Sequence, residues 1–276
     1  MQPSSAQTFP VQWLPVNEFT NTSWPGRPPL PEEDIFGNAK KIRFILPIIA
    51  RLREKLDRDV SVLDFGCGNA LGVGQYLIGE GIDYVGVDFH EPSLSFAREN
   101  FGGPKAQFLD KVPGDRTFDV IIYADVLEHV HDPLSIVKAY AHQLAPGGIL
   151  IWSVPNGYGP CEIEKKIDQR MRLYQILRFV KHLGLRLTGR SSQMPPSVPY
   201  NNECGHVKFF TLGALRRLAS DAGFKIVQIA HGGFVGADLT GNTIFRSRRF
   251  VEWNIRISDR LPSWMVSNWY LVLVKA

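Results

Sequence analysis

Residues Ser61–Gly72 read Ser-Val-Leu-Asp-Phe-Gly-Cys-Gly-Asn-Ala-Leu-Gly and decide how the rest of the chain is interpreted. The stretch opens with a short run of β-branched, aliphatic and aromatic residues, which is typical of a buried strand. The run stops at Asp64 and then at Gly66 and Gly68, which tolerate backbone angles that other residues avoid. A helical apolar pattern follows, so we expect a helix to begin at once with Asn69 as its N-cap. The sequence therefore predicts a ligand-binding turn between a strand and a helix.

The glycine spacing excludes two common phosphate-binding turns. A dinucleotide turn has glycine at its first, third and sixth positions, whereas the sixth position counted from Gly66 is Leu71. A P-loop is excluded as well, because no Lys-Ser or Lys-Thr pair follows the turn. The carboxylate of Asp64 would repel phosphate but would attract a ligand that carries an ammonium group. We therefore expect a nucleoside with a zwitterionic tail rather than a pyrophosphate.

Two further strands end in an acidic residue. Residues 83–88 form a second apolar strand that ends at Asp88, and residues 106–109 form a third that is followed by Asp110. A carboxylate at the position of Asp88 can accept hydrogen bonds from the two ribose hydroxyls of a nucleoside. The alternative is that Asp88 only caps the helix that follows it.

The remaining strands carry two more motifs. A fourth strand, residues 118–123, runs into Leu127-Glu128-His129-Val130, and Ala145-Pro146-Gly147-Gly148 precedes a fifth strand. Together with Asp64-x-Gly66-x-Gly68, this ordered series resembles the motifs of class I S-adenosylmethionine-dependent methyltransferases, and especially the ubiquinone-biosynthesis O-methyltransferases and similar small-molecule enzymes. The third glycine of the first motif departs from that pattern, because it is displaced to Gly72.

The resemblance implies a fold and a cofactor. The fold is α/β, a Rossmann-like methyltransferase sheet of seven strands in the order 3-2-1-4-5-7-6, with a helical lid insertion and an antiparallel last strand. The cofactor is S-adenosyl-L-methionine, with Asp88 at its ribose and Asp110 at its adenine amino group. The full set of residues that the resemblance assigns to the cofactor is Asp64, Gly66, Cys67, Gly68, Asp88, Phe89, Asp110 and Tyr123.

Composition narrows the class of protein. The 276 residues are 44% apolar, which suffices for a substantial core in one domain. The three cysteines, Cys67, Cys161 and Cys204, are an odd number without metal-ligand spacing, so we expect a cytoplasmic protein without disulfides or zinc. No apolar run approaches the roughly 18 residues of a membrane span. The modest pI of about 8.9, without a basic stripe and stacking aromatics, argues against a nucleic-acid partner.

The predicted organisation is an extension followed by a domain. Residues 1–57 form a proline-rich N-terminal extension and a covering helix, in which Pro47 should kink or divide the helix. That helix either covers the cofactor cleft or simply packs against the sheet. Residues 58–276 form the methyltransferase domain, with a second excursion at about 232–265 before the terminal strand.

An insertion at about 157–205 interrupts the alternation of strands and helices. Residues 161–190 within it are amphipathic and carry eight Lys and Arg against three Asp and Glu. We expect a helical lid over the methyl acceptor rather than over the cofactor. Its basic face favours an anionic acceptor or a peripheral membrane contact, and the alternative is a lid helix with a solvated charged face. The sequence carries no signal of the oligomeric state.

His129 and His206 are the candidate catalytic residues. Methyl transfer needs alignment of the acceptor with the sulfonium, and a hydroxyl acceptor also benefits from losing its proton to a base such as histidine. Either histidine is equally compatible with a structural role in its own segment. Acids near Glu128 bind a divalent metal in similar proteins, but we expect no obligatory metal here. The predicted function is O-methylation of a small-molecule, lipid-linked or glycan acceptor; the alternatives are N- or C-methylation and a non-catalytic cofactor-binding protein.

Overall fold

The computed structural model describes residues 38–79, 81–173, 175–176, 179, 198–201, 205–237, 240 and 248–276. The predicted extension over residues 1–37 lies outside these ranges, as does much of the insertion. The helices are α1 (Asn38–Leu56), α2 (Gly74–Leu77), α3 (Glu91–Phe101), α4 (Pro133–Tyr140), α5 (Pro160–Met171), α6 (Leu212–Asp221) and α7 (Arg248–Ser258). The strands are β1 (Val60–Phe65), β2 (Ile82–Val87), β3 (Ala106–Leu109), β4 (Phe118–Ala124), β5 (Leu144–Pro155), β6 (Phe224–His231) and β7 (Asn268–Lys275).

The strands form one sheet with the order β3-β2-β1-β4-β5-β7-β6. Strands β1 to β5 pair in parallel, whereas β7 runs antiparallel to both β5 and β6. The predicted methyltransferase strand order is therefore confirmed. The lid stays a prediction, because α5 opens the insertion but much of the chain between α5 and Gly205 lies outside the described residues.

The register of the central strands fixes where a ligand can lie. Phe65 at the end of β1 pairs with Val87 at the end of β2 and with Tyr123 near the end of β4. The turn after β1, the acid after β2 and the short 3₁₀ helix Leu127–His129 after β4 consequently stand at one edge of the sheet. This carboxyl edge is where open parallel sheets bind their ligands.

Two apolar cores cover the faces of the sheet. Side chains of a strand alternate between its faces, so Val62 and Leu63 of β1 belong to different cores. One core contains the buried face of α1, and the other contains Val137 of α4 and Leu215 of α6. Within the described ranges, no helix has both the length and the apolar content to cross a membrane.

Helix α1 packs against the sheet without a break. Of the two predicted effects of Pro47, division of the segment is wrong, because α1 is one helix with Pro47 inside it, and a kink stays a prediction. Burial of Ile42, Ile45 and Ile49 against the sheet outweighs the single backbone hydrogen bond that proline removes.

The side chain of Lys40 anchors α1 to the C-terminal part of the chain. Its ammonium group is almost completely buried and donates to Ser258 Oγ at 2.8 Å and to Asp259 Oδ1 at 2.6 Å. It also donates to the backbone carbonyls of Gly232 and Ile255, each at 3.2 Å. A buried charge is tolerable only with such a set of partners.

The turn after β1 differs from its prediction. Helix α2 begins only at Gly74, so Asn69 is not an N-cap. Gly68 and Ala70 have φ angles of 54° and 65°, and this left-handed backbone cannot start a right-handed helix. Asn69 Oδ1 instead accepts a hydrogen bond from the N–H of Leu71 at 3.1 Å, which closes a local turn.

Candidate cofactor and catalytic site

Glycine is required in the turn for two physical reasons. Gly66 has a φ of 76°, and a Cβ there would lie 2.5 Å from Cγ2 of Val126, which excludes any side chain. Gly68 is also left-handed, but a Cβ there would meet no described atom within 4 Å. The backbone N–H groups of Gly66 and Cys67 donate to the carbonyl of Val87 at 2.7 and 3.0 Å, which joins the turn to the end of β2. The first two residues of the turn are therefore hydrogen-bonded to β2, whereas the space next to Gly68 is open for a ligand.

Asp88 ties the turn to the helix that follows β2. Its Oδ2 accepts a hydrogen bond from the N–H of Gly68 at 2.8 Å, and its Oδ1 accepts one from the N–H of His90 at 2.9 Å. The cap-like bond to His90 and a ligand role are compatible, since an ionised carboxylate has about four acceptor sites. Asp88 is only partly buried, so the remaining acceptor sites can be reached by a ligand.

Asp64 lies in β1, two residues before the first glycine of the turn. The carboxyl group is 2% exposed, and its Oδ2 accepts a hydrogen bond from the hydroxyl of Tyr84 at 2.7 Å. Burial raises the pKa of Asp64 to about 6, although the Tyr84 hydrogen bond and the charge of Lys41 oppose this shift. The charge of Asp88 adds to it. Asp64 is thus held by a side chain of the neighbouring strand β2.

The other predicted cofactor residues lie in different surroundings. Phe89 is 76% exposed beside the end of β2, and Asp110 is exposed directly after β3. Cys67 is buried, and burial strongly raises the pKa of its thiol. Tyr123 is 1% exposed in the core, with its ring centre 5.4 Å from that of Phe65, so its side chain is not brought to the surface of this edge.

The described end of the insertion lies against the cofactor turn. The carbonyl of Pro199 accepts a hydrogen bond from Nδ2 of Asn69 at 2.9 Å and another from Oγ of Ser93 on α3 at 3.4 Å. Residues 198–201 therefore bridge the turn after β1 and the helix after β2. The insertion was expected to lie over the acceptor rather than over the cofactor. These hydrogen bonds bring Pro199 to the glycine turn, and which ligand the insertion covers stays a prediction.

The two predicted catalytic histidines meet at the end of β4. The ring centres of His129 and His206 are 5.0 Å apart in an edge-to-face arrangement. Nδ1 of His129 lies 3.1 Å from the carbonyl of Gly205, and the N–H groups of Val207 and Lys208 both donate to the carbonyl of Glu128 at 2.9 Å. Burial, followed by the charge of His206, lowers the pKa of His129 despite the bond to Gly205.

Two glutamates that sequence reasoning left aside or missed complete this cluster. Oε1 of Glu162, in the first turn of α5, lies 3.2 Å from Nδ1 of His206 and 2.8 Å from Nζ of Lys165. Burial favours a higher pKa for Glu162, but these two partners outweigh it and hold the pKa at about 2. Glu128 is 1% exposed, and burial and then the charge of Asp125 raise its pKa well above the usual range.

A cation could be held at the same place. Glu128, His129 and His206 each offer one ligand atom, and these atoms lie within 4.8 Å of one another. Oε2 of Glu128 is buried and has no hydrogen-bond partner among the described residues, so one oxygen of this side chain is left for a ligand. Imidazole with carboxylate suits a divalent metal, so these residues fit one. The expectation of no obligatory metal stays a prediction.

Asp125 separates the two halves of the site and has an unusual backbone. Its φ of 57° is uncommon for a residue with a Cβ, and such strain is found mainly at functional positions. Oδ1 accepts a hydrogen bond from Ser153 at 2.6 Å, and Oδ2 accepts one from Lys41 of α1 at 2.8 Å. These bonds hold Asp125 between the cofactor turn and the histidines.

An apolar cavity of about 430 Å³ lies on another side of α5. It is lined by Tyr158, Pro160, Ile163, Glu164, Ile167, Phe234, Val235, Trp264 and Met265. Ile163 of α5 lines this cavity, and Glu162, the residue before it, contacts His206. Helix α5 therefore borders both the cavity and the histidine cluster.

The comparison with family models decides the assignment. A model described as a methyltransferase domain matches residues 38–229, which is more than half of the chain. The chain belongs to the methyltransferase domain family. The match covers the glycine turn, both catalytic candidates and all strands up to β6, so the resemblance to class I S-adenosylmethionine-dependent methyltransferases is confirmed.

Curated relatives of this methyltransferase match part of its length. It is 30% identical over 136 residues to the ubiquinone biosynthesis O-methyltransferase of Aliivibrio fischeri (strain MJ11), covering 45% of this chain and 57% of that protein. It is 31% identical over 136 residues to the protein of the same name from Serratia proteamaculans (strain 568), covering 45% and 55%. The chain thus spans little more than half the length of these relatives.

Solved structures agree on the fold. A chain from the complex between the Haloferax volcanii Trm112 methyltransferase activator and a methyltransferase superposes with a TM-score of 0.52 at 16% identity. The match covers 88% of this chain and 90% of that chain. This likeness supports the methyltransferase architecture and nothing finer.

Proposed function

We propose that this chain is an S-adenosylmethionine-dependent methyltransferase that methylates an oxygen atom of a small-molecule acceptor. The observation that carries the proposal is the pair of imidazoles of His129 and His206, whose ring centres are 5.0 Å apart. The pair stands at the end of β4, the strand next to β1 and its glycine turn. A proton acceptor beside a cofactor turn is the arrangement that hydroxyl methylation needs.

The cofactor is proposed to lie along the ends of β1, β2 and β3. The open side of Gly68 leaves room for the methionine tail, and the remaining acceptor sites of Asp88 would bind the ribose hydroxyls. The exposed ring of Phe89 would cover the adenine, and Asp110 would reach its amino group. Support comes from the shared edge of the three strands and from the family resemblance.

The reaction asks the protein to orient the acceptor and to remove one proton. Since Nδ1 of a neutral His129 donates to the carbonyl of Gly205, its Nε2 carries the free lone pair. In the proposed step this nitrogen takes the hydroxyl proton while the oxygen forms a bond to the methyl carbon. The methyl–sulfur bond breaks, and its electron pair stays on sulfur as S-adenosylhomocysteine leaves.

Glu128, His129 and His206 are the residues that would hold a divalent cation. When bound, such an ion would act as a Lewis acid that favours the ionised form of the acceptor oxygen. The protein's own part remains the orientation of the histidines through Gly205 and Glu162.

The acceptor is proposed to be an apolar phenol-like or lipid-linked molecule that can carry negative charge. The names of the curated relatives support O-methylation, and the apolar cavity beside α5 supports an acceptor with an apolar part. Ile163 and Ile167 of α5 are 52% and 45% exposed, and Lys166 is exposed on the same helix. This combination supports a peripheral contact of α5 with an anionic membrane that presents the acceptor.

A labelled-cofactor screen tests the proposal. The full chain is incubated with methyl-labelled S-adenosylmethionine and with phenols, catechols, amines and glycans, with and without lipid chains. We expect label in an ether product of a phenolic acceptor. Label in an N- or C-methyl product would overturn the oxygen assignment. Calorimetric binding of S-adenosylhomocysteine without any turnover would support a non-catalytic binding protein. Tight binding of NAD without binding of S-adenosylhomocysteine would overturn the cofactor assignment.

A further inference from the structure

Glu162 enters the histidine cluster from a separate part of the chain. It belongs to the first turn of α5, which opens the insertion, whereas His206 belongs to the segment that returns from it. The side chain of Glu162 is almost completely buried, and its Oε1 lies 3.2 Å from Nδ1 of His206. The ion pair with Lys165, at 2.8 Å, keeps the carboxylate charged.

This contact selects one form of the imidazole ring. A carboxylate only accepts hydrogen bonds, so Nδ1 of a neutral His206 must carry the proton and Nε2 must carry the lone pair. His129 is fixed in the same form by the carbonyl of Gly205. Both rings consequently keep the Nε2 lone pair, and both belong to the cluster with Glu128, whose Oε2 has no hydrogen-bond partner among the described residues.

Helix α5 is itself held in place by contacts that do not involve the histidines. Glu164 accepts hydrogen bonds from the backbone N–H and the hydroxyl of Thr240 at 2.7 and 2.8 Å. The thiol of Cys161 donates to the hydroxyl of Ser267 at 2.8 Å, close to the start of β7. Glu162 is thus presented to His206 by a helix that is anchored elsewhere in the fold.

We propose that Glu162 is a positioning residue: it orients the ring of His206 and fixes the tautomer whose Nε2 faces the reactive cluster. The inference rests on the proposed methyltransferase function for its catalytic consequence, but not for the tautomer itself. The proposal also assigns a role to the insertion: its first helix, α5, supplies Glu162, so the site is complete only when α5 packs against the segment that contains His206. Partners of this kind change activity or ligand affinity by about tenfold to a hundredfold when they are removed.

The decisive experiment reads the tautomer directly. The full chain is labelled with ¹⁵N-histidine, and long-range ¹H–¹⁵N spectra assign His206 by comparison with His206→Gln. We expect the wild type to show an unprotonated Nε2, and Glu162→Ala to show a mixture of both tautomers. Glu162→Asp should restore the wild-type form in part. A wild-type tautomer in Glu162→Ala would overturn the proposal, whether or not an acceptor has been found.

A matched control separates positioning from loss of helix anchoring. Glu164→Ala removes two hydrogen bonds from the same helix turn without touching His206. We expect Glu162→Ala to lower kcat by about tenfold or more while the affinity for S-adenosylhomocysteine and the melting temperature stay close to those of Glu164→Ala. Equal losses of kcat in the two variants would show that Glu162 acts only by holding α5.

Discussion

The backbone N–H of Gly68 donates to Oδ2 of Asp88 at 2.8 Å, so the turn after β1 is held by the acid after β2. An acid that was predicted to bind the ribose, or else to cap the following helix, therefore also shapes the turn on which the ligand would lie. The same carboxylate accepts a hydrogen bond from the N–H of His90, so each of its two oxygens has a backbone partner.

Asp88→Ala should weaken binding of S-adenosylhomocysteine by roughly tenfold to a hundredfold or more. Charge-assisted hydrogen bonds contribute about 1.5 to 3 kcal/mol each, and about 1.4 kcal/mol changes affinity tenfold. Calorimetry measures the loss. The control is Asp83→Ala, since Asp83 lies on β2, the strand that Asp88 follows, and pairs with Arg116 instead of the turn. Unchanged affinity in Asp88→Ala would reduce Asp88 to a helix cap.

The buried carboxyl of Asp64 should make stability depend on pH. Its folded pKa of about 6 lies above the unfolded value near 3.9, so the unfolded state binds fewer protons between these values and stability falls as pH rises. Relative to Asp64→Asn, the wild type should lose about 2 kcal/mol of unfolding free energy from about pH 4 to pH 7. The three groups that influence the pKa of Asp64 besides burial, Tyr84, Lys41 and Asp88, are present in both proteins. The comparison therefore isolates the Asp64 carboxyl. Urea unfolding at several pH values provides the test, and a constant difference would contradict it.

The bridge formed by Pro199 should slow the release of the cofactor product. Asn69→Ala removes the donor to the Pro199 carbonyl, a bond worth about 1 kcal/mol, so S-adenosylhomocysteine should dissociate about fivefold faster. Stopped-flow fluorescence measures this rate. Ser95→Ala is the control, because Ser95 lies on the same helix as Ser93 but bonds to the exposed Glu91. An identical rate in Asn69→Ala would mean that residues 198–201 do not close over the cofactor.

The exposed basic residues of α5 should contribute to contact with anionic membranes. Each basic side chain near such a surface is worth about 1 kcal/mol, so Lys166→Gln with Arg170→Gln should weaken binding to phosphatidylserine vesicles roughly thirtyfold. Lys165 is left unchanged because it contacts Glu162. Vesicle cosedimentation gives the affinity, and uncharged vesicles are the control. Equal binding to both kinds of vesicle would remove the membrane contact from the proposed function.

The sequence predicted the sheet and one edge of the site well. Strands with β-branched residues that end in an acid or glycine could be located directly, and the family motifs supplied the strand order. Placement of His129 and His206 at the carboxyl edge was possible from their positions after β4 and before α6. The alternation of β4 could also have shown that Tyr123 shares the buried face of Ile121.

Other features depend on contacts that a linear pattern does not contain. Helical spacing in the insertion separates apolar from basic faces, but it does not show that Glu162 turns toward a histidine more than forty residues later. Asn69 was expected to be an N-cap, but the left-handed backbone of Ala70, with a φ of 65°, prevents a helix from starting there. Alanine favours helices, so its residue type gave no indication of this backbone angle. Lys41 and Asp125, which stand 84 residues apart, are joined only by the fold.

The buried ammonium group of Lys40 also imposes an order on assembly. Its side-chain and carbonyl partners lie 192 to 219 residues further along the chain. During synthesis on a ribosome, Lys40 emerges long before these partners, so its ammonium group must stay in water until residues 232–259 have followed it. The final docking of α1 therefore waits for this later segment, even though the helix itself can form locally much earlier.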